Sequence, residues 1–158
     1  MAAASFFLDV SYSQVAVFDS ALEHPFNLWT ERHVRQGFAW RPGSVSFATL
    51  EEAGQHTVDI DIVSDDVPLS PEAIRIIQTP FEVPQSGSIE IASISDNVPL
   101  QLASGAYVLR FEDFPARDGC QPRIRFVFVR SEKPSFKILR ADPELSAGSD
   151  LLLSATPA

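Results

Sequence analysis

Hydrophobic and polar residues alternate with a period of two along most of this chain. In residues 58–62, Val58, Ile60 and Ile62 share one face, whereas Asp59 and Asp61 share the other. This alternation is typical of a strand with one face on a hydrophobic core and the other in water. It predicts eight or nine short strands, the others lying at 6–10, 14–18, 44–47, 74–78, 89–94, 107–112, 123–129 and 136–139.

Polar turns separate the predicted strands. Residues 41–43, 64–66, 84–87 and 118–119 are rich in proline, glycine, serine and aspartate, which favour tight turns. Twelve prolines also argue against long helices, and 158 residues suit one domain. We therefore predict an all-β fold: a single-domain antiparallel β-sandwich, or a closed barrel, over residues 1–143. A loose or lightly docked tail is expected at 144–158.

One segment departs from the period of two. The residues at positions 26, 29, 30 and 33 have the spacing of one helical face, which predicts one short helix near residues 26–36. Asn27 is a suitable N-cap, and Gly37 is a suitable left-handed stop. His33 would lie on the apolar side of this helix, where we interpret it as a structural histidine bonded to a backbone carbonyl.

The acidic residues are concentrated in the middle of the chain. The formal net charge is −9, and residues 51–96 hold ten acidic residues but one basic residue, Arg75. The negative electrostatic field of such a chain attracts a basic protein and disfavours direct binding to nucleic acid or anionic lipid. The charge pattern therefore favours a basic protein partner, although the same acids also suit the solvated faces of ordinary strands.

Catalytic motifs are missing from the sequence. It has no phosphate-binding glycine loop, no Gly-x-Ser-x-Gly elbow and no His-Glu-x-x-His helix. A calcium loop beginning at Asp59 would need an oxygen ligand and then a glycine where the chain has Val63 and Ser64. Cys120 is interpreted as an incidental thiol. We expect no enzyme activity, no cofactor and no metal site, with a metal-dependent β-sandwich hydrolase using Asp59 and Asp61 as the less favoured alternative.

Aromatic and basic residues occur together just before the acidic segment. Such a mixture is found on platforms for single-stranded nucleic acid, but the acidic net charge argues against that role here. We expect Trp29 and Phe38 to belong to the core. Trp40 and Arg41 precede a turn, and residues of these two types are frequent at interface hot spots.

The same region resembles a known family. The stretch 36–44, Gln-Gly-Phe-Ala-Trp-Arg-Pro-Gly-Ser, is long and poor in generic residues. With its flanking segments it resembles the competence protein J family, inhibitors of a bacterial nuclease of DNA uptake, over about residues 6–142. The segments that carry the resemblance are 13–19, 25–30, 33–47, 80–81, 89–94 and 105–112, with the motif residues Trp29, His33, Gln36, Gly37, Phe38, Pro42, Gly43 and Ser44.

The resemblance implies a small acidic protein that binds a bacterial nuclease and keeps it inactive during competence. An immunity-type protein that neutralises another nuclease toxin is the alternative, and a purely structural module would instead predict an exposed apolar patch or self-association.

The sequence has no apolar run long enough for a membrane span, its first ten residues lack a basic flank, and it has one cysteine. We expect a cytoplasmic location and leave the oligomeric state open.

Charge pattern and resemblance together suggest a mechanism. A nuclease presents a basic cleft to phosphates, and aligned carboxylates can occupy such a cleft. In the alternative, Trp40 and Arg41 form the docking site and the acids only accelerate the encounter. The residues predicted to form the acidic, DNA-mimicking surface are Asp59, Asp61, Asp65, Asp66, Glu90 and Asp96.

Overall fold

Two β-sheets and one short helix make up the computed structural model, which describes residues 3–146 and 150–158. The six-stranded sheet has the order β1-β5-β10-β9-β6-β11, and the five-stranded sheet has the order β3-β4-β2-β7-β8. The strands are β1 (Ala4–Val10), β2 (Gln14–Asp19), β3 (Phe38–Arg41), β4 (Ser44–Ala48), β5 (Gly54–Val63), β6 (Arg75–Val83), β7 (Ser88–Ala92), β8 (Asn97–Gln101), β9 (Gly105–Asp113), β10 (Arg123–Arg130) and β11 (Lys137–Arg140). The predicted all-β sandwich is confirmed, whereas the closed barrel is wrong because each sheet keeps two edge strands in the described residues.

The hydrophobic core lies between the two sheets. Phe47 of β4 and Phe111 of β9 are fully buried, and their rings stack across the sandwich with centroids 4.7 Å apart. Val58 and Ile60 also face this core, as the alternation in β5 predicted. The side chains between them therefore point away from the core, on the outer face of the six-stranded sheet.

Strands β5 and β10 run parallel, with Asp59 opposite Arg125. The other strand pairs of the described residues are antiparallel, so the prediction of an antiparallel sandwich is wrong for this pair. A parallel pair needs a long crossover, and here β6 to β9 lie between the two strands in the chain. Alternation along a strand does not reveal which direction its neighbour runs.

The helix is shorter than predicted. Helix α1 covers Glu31–Gln36, and its N-cap is Thr30, whose side chain accepts a hydrogen bond from the backbone of His33 while the His33 ring accepts one from the Thr30 backbone. Asn27 is therefore not the cap. Gly37 ends the helix in the left-handed conformation, with φ 84°, as predicted.

The described residues of the predicted tail, 144–146 and 150–158, contact the helix and the segment before it. The backbone of Ser146 donates to the Arg35 carbonyl, and that of Leu28 donates to the Thr156 carbonyl. Gln36 exchanges two hydrogen bonds with the backbone of Leu152, each 2.9 Å long. Residues 147–149 lie outside the described part of the chain.

Candidate functional site: a groove beside the first hairpin

The two aspartates of β5 face arginines of β10. Asp59 lies 3.1 Å from the Arg123 guanidinium, and Asp61 lies 2.7 Å from that of Arg125. The sequence Arg-Ile-Arg in β10 alternates in the same way as Asp-Ile-Asp in β5, so the parallel register brings opposite charges together on one face. Both aspartates are thus neutralised within the molecule.

The ion pairs continue into a buried network on the outer face of the six-stranded sheet. Glu112, fully buried, lies 3.3 Å from Arg125 and 2.9 Å from Arg110. Arg110 also lies 3.2 Å from Asp66 and donates to the carbonyl of Val67. Asp66 therefore helps to fasten the loop between β5 and β6 over the sheet. Its neighbour in this loop, Asp65, is exposed.

Glu90 and Asp96 lie away from the aspartates of β5, on strand β7 and in the turn between β7 and β8. Glu90 is on β7, whose Ile89 and Ile91 face the core, so its carboxylate lies on the outer face of the five-stranded sheet. It accepts a hydrogen bond from Asn97, and the Asp96 carboxylate accepts one from the backbone of Asp9. The prediction of one continuous six-acid surface is wrong, since Glu90 lies on the opposite sheet from Asp59 and Asp61 and three of the six carboxylates pair with arginines.

Trp40 and Arg41 are engaged within the fold. The Trp40 indole N–H donates to the Pro80 carbonyl at 2.7 Å. Arg41 donates to the Asn27 side chain at 2.6 Å and to the carbonyl of His24. Burial lowers the pKa of Arg41. These contacts give both side chains a structural role.

The remaining motif residues connect the helix, the β3–β4 turn and the end of the chain. The Nε2 atom of His33 lies 2.9 Å from the Ser154 carbonyl, as expected for a structural histidine. Phe38 is buried in the core, and Ser44 donates to the Pro25 carbonyl. Pro42 and Gly43 form the turn after β3, where Gly43 has φ 83°.

A groove of about 300 Å³ lies between the β1–β2 turn and helix α1. Trp29, predicted to belong to the core, is instead partly exposed on one side of the groove, where its indole N–H donates to the Gln14 side chain at 3.2 Å. Val34 of α1 is 58% exposed, and Tyr12 of the turn is 76% exposed. The residues that line the groove are Tyr12, Ser13, Gln14, Trp29, Val34 and Ala48.

The β1–β2 turn has an uncommon backbone. Tyr12 and Ser13 have φ values of 55° and 54°, in the left-handed region that favours glycine. Two hydrogen bonds hold Ser13 in place: its N–H donates to the Glu52 carbonyl at 2.8 Å, and its carbonyl accepts from the Thr49 N–H at 2.9 Å. The turn is therefore fixed to the loop that follows β4.

A second cavity, of about 370 Å³, continues the groove and shares three of its lining residues. Glu52 and Glu144 lie at this cavity, together with the buried side chain of Arg75. Arg75 donates to both carboxylate oxygens of Asp142, at 2.6 Å and 2.8 Å. Its charge is balanced by Asp142, and its guanidinium also lies 3.9 Å from Glu144. Because Glu52 adds a further carboxylate, the charge at this cavity stays negative.

A buried carboxyl group lies beneath the same loop. Asp113 accepts a hydrogen bond from the Leu50 N–H at 2.9 Å and is 1% exposed. Burial raises its pKa to about 7, although the Leu50 N–H and the charge of Arg75 act in the opposite direction. Asp142 differs, because its hydrogen bonds and ion pair with Arg75 outweigh the effect of burial and lower its pKa.

The sequence model of the family described as competence protein J matches residues 7–129. The chain belongs to the competence protein J family. Among solved structures, the fold is similar to the crystal structure of ComJ from Bacillus subtilis, described as an inhibitor of the DNA-degrading activity of NucA. The two share 22% identity with a TM-score of 0.72, and the match covers 83% of this chain and 98% of that one. A search of curated proteins finds no match.

The match to the competence protein J family contains every residue that lines the groove. Sequence reasoning nevertheless missed the groove, because Tyr12 and Ser13 are not residues that signal a left-handed turn. The signal available in the sequence was a tyrosine in the short turn between two predicted strands. The described residues contain no group of three or more potential metal ligands. Likewise, none of the helices in that part of the chain could cross a membrane.

Proposed function

We propose that this protein binds a nuclease and holds it inactive. Membership of the competence protein J family, through residues 7–129, is the observation that carries the proposal. The shared fold with ComJ of Bacillus subtilis, described as the inhibitor of NucA, supports it. A net charge of −9 suits a partner whose surface is basic enough to bind DNA. Inhibition then follows from stoichiometric binding, and the protein itself does not act as an enzyme.

The acidic residues serve this function mainly by attraction at a distance. Pairing with Arg123 and Arg125 leaves Asp59 and Asp61 poorly placed to imitate phosphates. The total charge is unaffected by such pairing, so the field that draws a basic protein toward the molecule remains. We retain Asp65, Glu90 and Asp96 as the predicted acids whose charge attracts the partner, because they form no ion pair with another described residue.

A titration of a nuclease with the purified protein tests the proposal. The nuclease is the one encoded in the same genome that is most similar to NucA. Cleavage of a labelled duplex DNA should fall in proportion to the added protein and stop near equimolar amounts. Excess Mg²⁺ should not restore cleavage, since the inhibitor does not act by removing metal. Full cleavage at a large excess of inhibitor would refute the proposed function.

The same assay separates the two kinds of nuclease target. A panel that also contains secreted nuclease toxins from the same organism would distinguish a competence inhibitor from an immunity-type protein. Inhibition restricted to a toxin would favour the immunity-type protein. The hydrolase alternative loses support from the geometry, because Asp59 and Asp61 each bind a guanidinium instead of converging on a metal.

A further inference from the structure

We propose that the nuclease docks on the groove beside the β1–β2 turn, with Tyr12 as the central anchor. The acidic rim of the groove would face a basic surface of the nuclease. This inference rests on the proposed function and names the surface through which it acts. Neither the acids of β5 nor the segment 36–44 contributes to this groove.

The backbone holds Tyr12 in a fixed position before any partner arrives. Two consecutive non-glycine residues with positive φ are uncommon, and such strain persists only where the surrounding structure maintains it, often at functional sites. Here the two backbone hydrogen bonds of Ser13 maintain it. A tyrosine has few rotatable bonds, so one carried on a fixed backbone loses little conformational freedom on binding.

The groove beside Tyr12 is apolar. The indole N–H of Trp29 already has an acceptor in Gln14, so the ring can be covered without losing a hydrogen bond to water. Val34 adds an exposed aliphatic side chain on the neighbouring helix. Tyrosine and tryptophan around a small apolar pocket are the composition typical of interface hot spots.

The rim of the groove is acidic. Glu52 and Glu144 lie at the adjoining cavity, and Glu31 lies one helical turn before Val34 with its side chain 96% exposed. Arg35, the exposed cation on this helix face, lies 3.9 Å from Glu31. The rim therefore keeps a negative charge that complements a basic nuclease, whereas it would repel a DNA backbone.

Another cavity offers a rival surface. It has a volume of about 380 Å³ and is lined by Glu23, Glu90 and Asp96 above the apolar side chains of Phe18 and Phe26. The two sites lie on different parts of the molecule, so substitutions can distinguish them. We favour the groove at Tyr12 because it combines an exposed aromatic anchor, a fixed backbone and an acidic rim.

Substitution of Tyr12 tests the inference. Tyr12→Asn removes the aromatic ring but suits the left-handed backbone, so the fold should be retained and the melting temperature should not fall. The inhibition constant should rise at least about tenfold, as for the loss of a hot-spot residue. Val34→Lys, which places a cation in the groove, should weaken inhibition similarly.

Phe7→Ala is the matched control. Phe7 is an aromatic residue of β1, is 59% exposed and does not line the groove, so its removal should leave inhibition unchanged. If Tyr12→Asn and Val34→Lys inhibit as well as the parent protein, the docking inference is wrong while the proposed function stands. Loss of inhibition in Glu90→Gln and Asp96→Asn, with the groove variants unaffected, would place the partner at the rival cavity. A parent protein that does not inhibit would overturn the function itself.

Discussion

Ser13 has a backbone conformation that glycine would adopt at lower cost. Its φ of 54° lies in the left-handed region, where a side chain crowds the backbone. Its backbone N–H and carbonyl both form hydrogen bonds that do not involve the side chain. We therefore expect Ser13→Gly to raise the free energy of unfolding by roughly 0.5 to 1 kcal/mol. Urea denaturation of the two proteins measures the difference, and a lower midpoint for the variant would show that the turn is unstrained.

Asp113 should make stability depend on pH. Its pKa is about 7 in the folded protein against 3.8 in the unfolded chain, so the folded state binds more protons between these values. The free energy of unfolding should therefore fall as the pH rises from 4 to 7, by roughly 2 to 4 kcal/mol from this group. Urea midpoints from pH 5 to pH 8 should decline in the parent protein and stay flatter in Asp113→Asn.

Asp142 supplies the contrast for that experiment. Its pKa is lowered by Arg75, so its contribution is complete above pH 4 and is lost only as the pH falls through the lowered pKa. The decline of the urea midpoint between pH 5 and pH 8 should therefore persist in Asp142→Asn, with a lower midpoint at each pH. An equally steep decline in Asp113→Asn would assign the effect to another group.

Single residues also show where local sequence signals stop being sufficient. The helix stop at Gly37 was predictable because its chemistry is local. Asn27 carried an equally local signal for an N-cap, yet it is buried and donates to the carbonyls of Ala39 and Ser44. Its role depends on residues brought together by the hairpin of β3 and β4, which no short window of sequence contains.

The buried network on the six-stranded sheet fastens the loop of residues 64–74. Arg110 lies between fully buried Glu112 and Asp66, whose side chain is 83% exposed. We expect Glu112→Gln to lower the free energy of unfolding by about 3 kcal/mol, because it leaves two guanidinium groups short of a buried anion. Asp66→Asn, at the exposed end of the same network, should cost less than about 1 kcal/mol.

Thermal or urea denaturation of the two variants measures this difference, and limited proteolysis adds a second readout. Because Ser70 of the loop also bonds to Glu112, cleavage within residues 64–74 should be faster in Glu112→Gln than in Asp66→Asn. Equal stability losses in the two variants would contradict the view that burial determines the strength of these ion pairs.

Strands with a clear alternation were predictable as elements, whereas their partners were not. The alternation at residues 58–62 indicated β5 because this pattern is contained in the consecutive residues of the strand itself. The edge strands β3 and β8 were both missed. In β8, Pro99 interrupts the pattern, and proline is tolerated there because an edge strand has unpaired positions. The parallel pairing of β5 with β10 brings together side chains that are distant in sequence, such as Asp61 and Arg125, 64 positions apart.

For the whole molecule, that pairing explains why the predicted acidic surface divides. Composition and net charge are properties of the chain and were known from the sequence. The position of each charge relative to the others depends on the topology of both sheets. Half of the six predicted acids pair with arginines. Glu90 lies on the opposite sheet from Asp59 and Asp61, and Asp96 lies in the turn between β7 and β8. The net charge remains available to act at a distance.

Salt should therefore change the rate at which the protein associates with the nuclease more than the rate at which the complex dissociates. Between about 50 and 500 mM NaCl, screening shortens the reach of the field of the −9 charge. The association rate should fall about tenfold or more over that range, while the dissociation rate changes little. Asp65→Asn should also slow association without faster dissociation, whereas Tyr12→Asn should speed dissociation. Surface plasmon resonance separates the two rates, and a dissociation rate that carries most of the salt dependence would indicate direct ion pairs at the interface instead of steering.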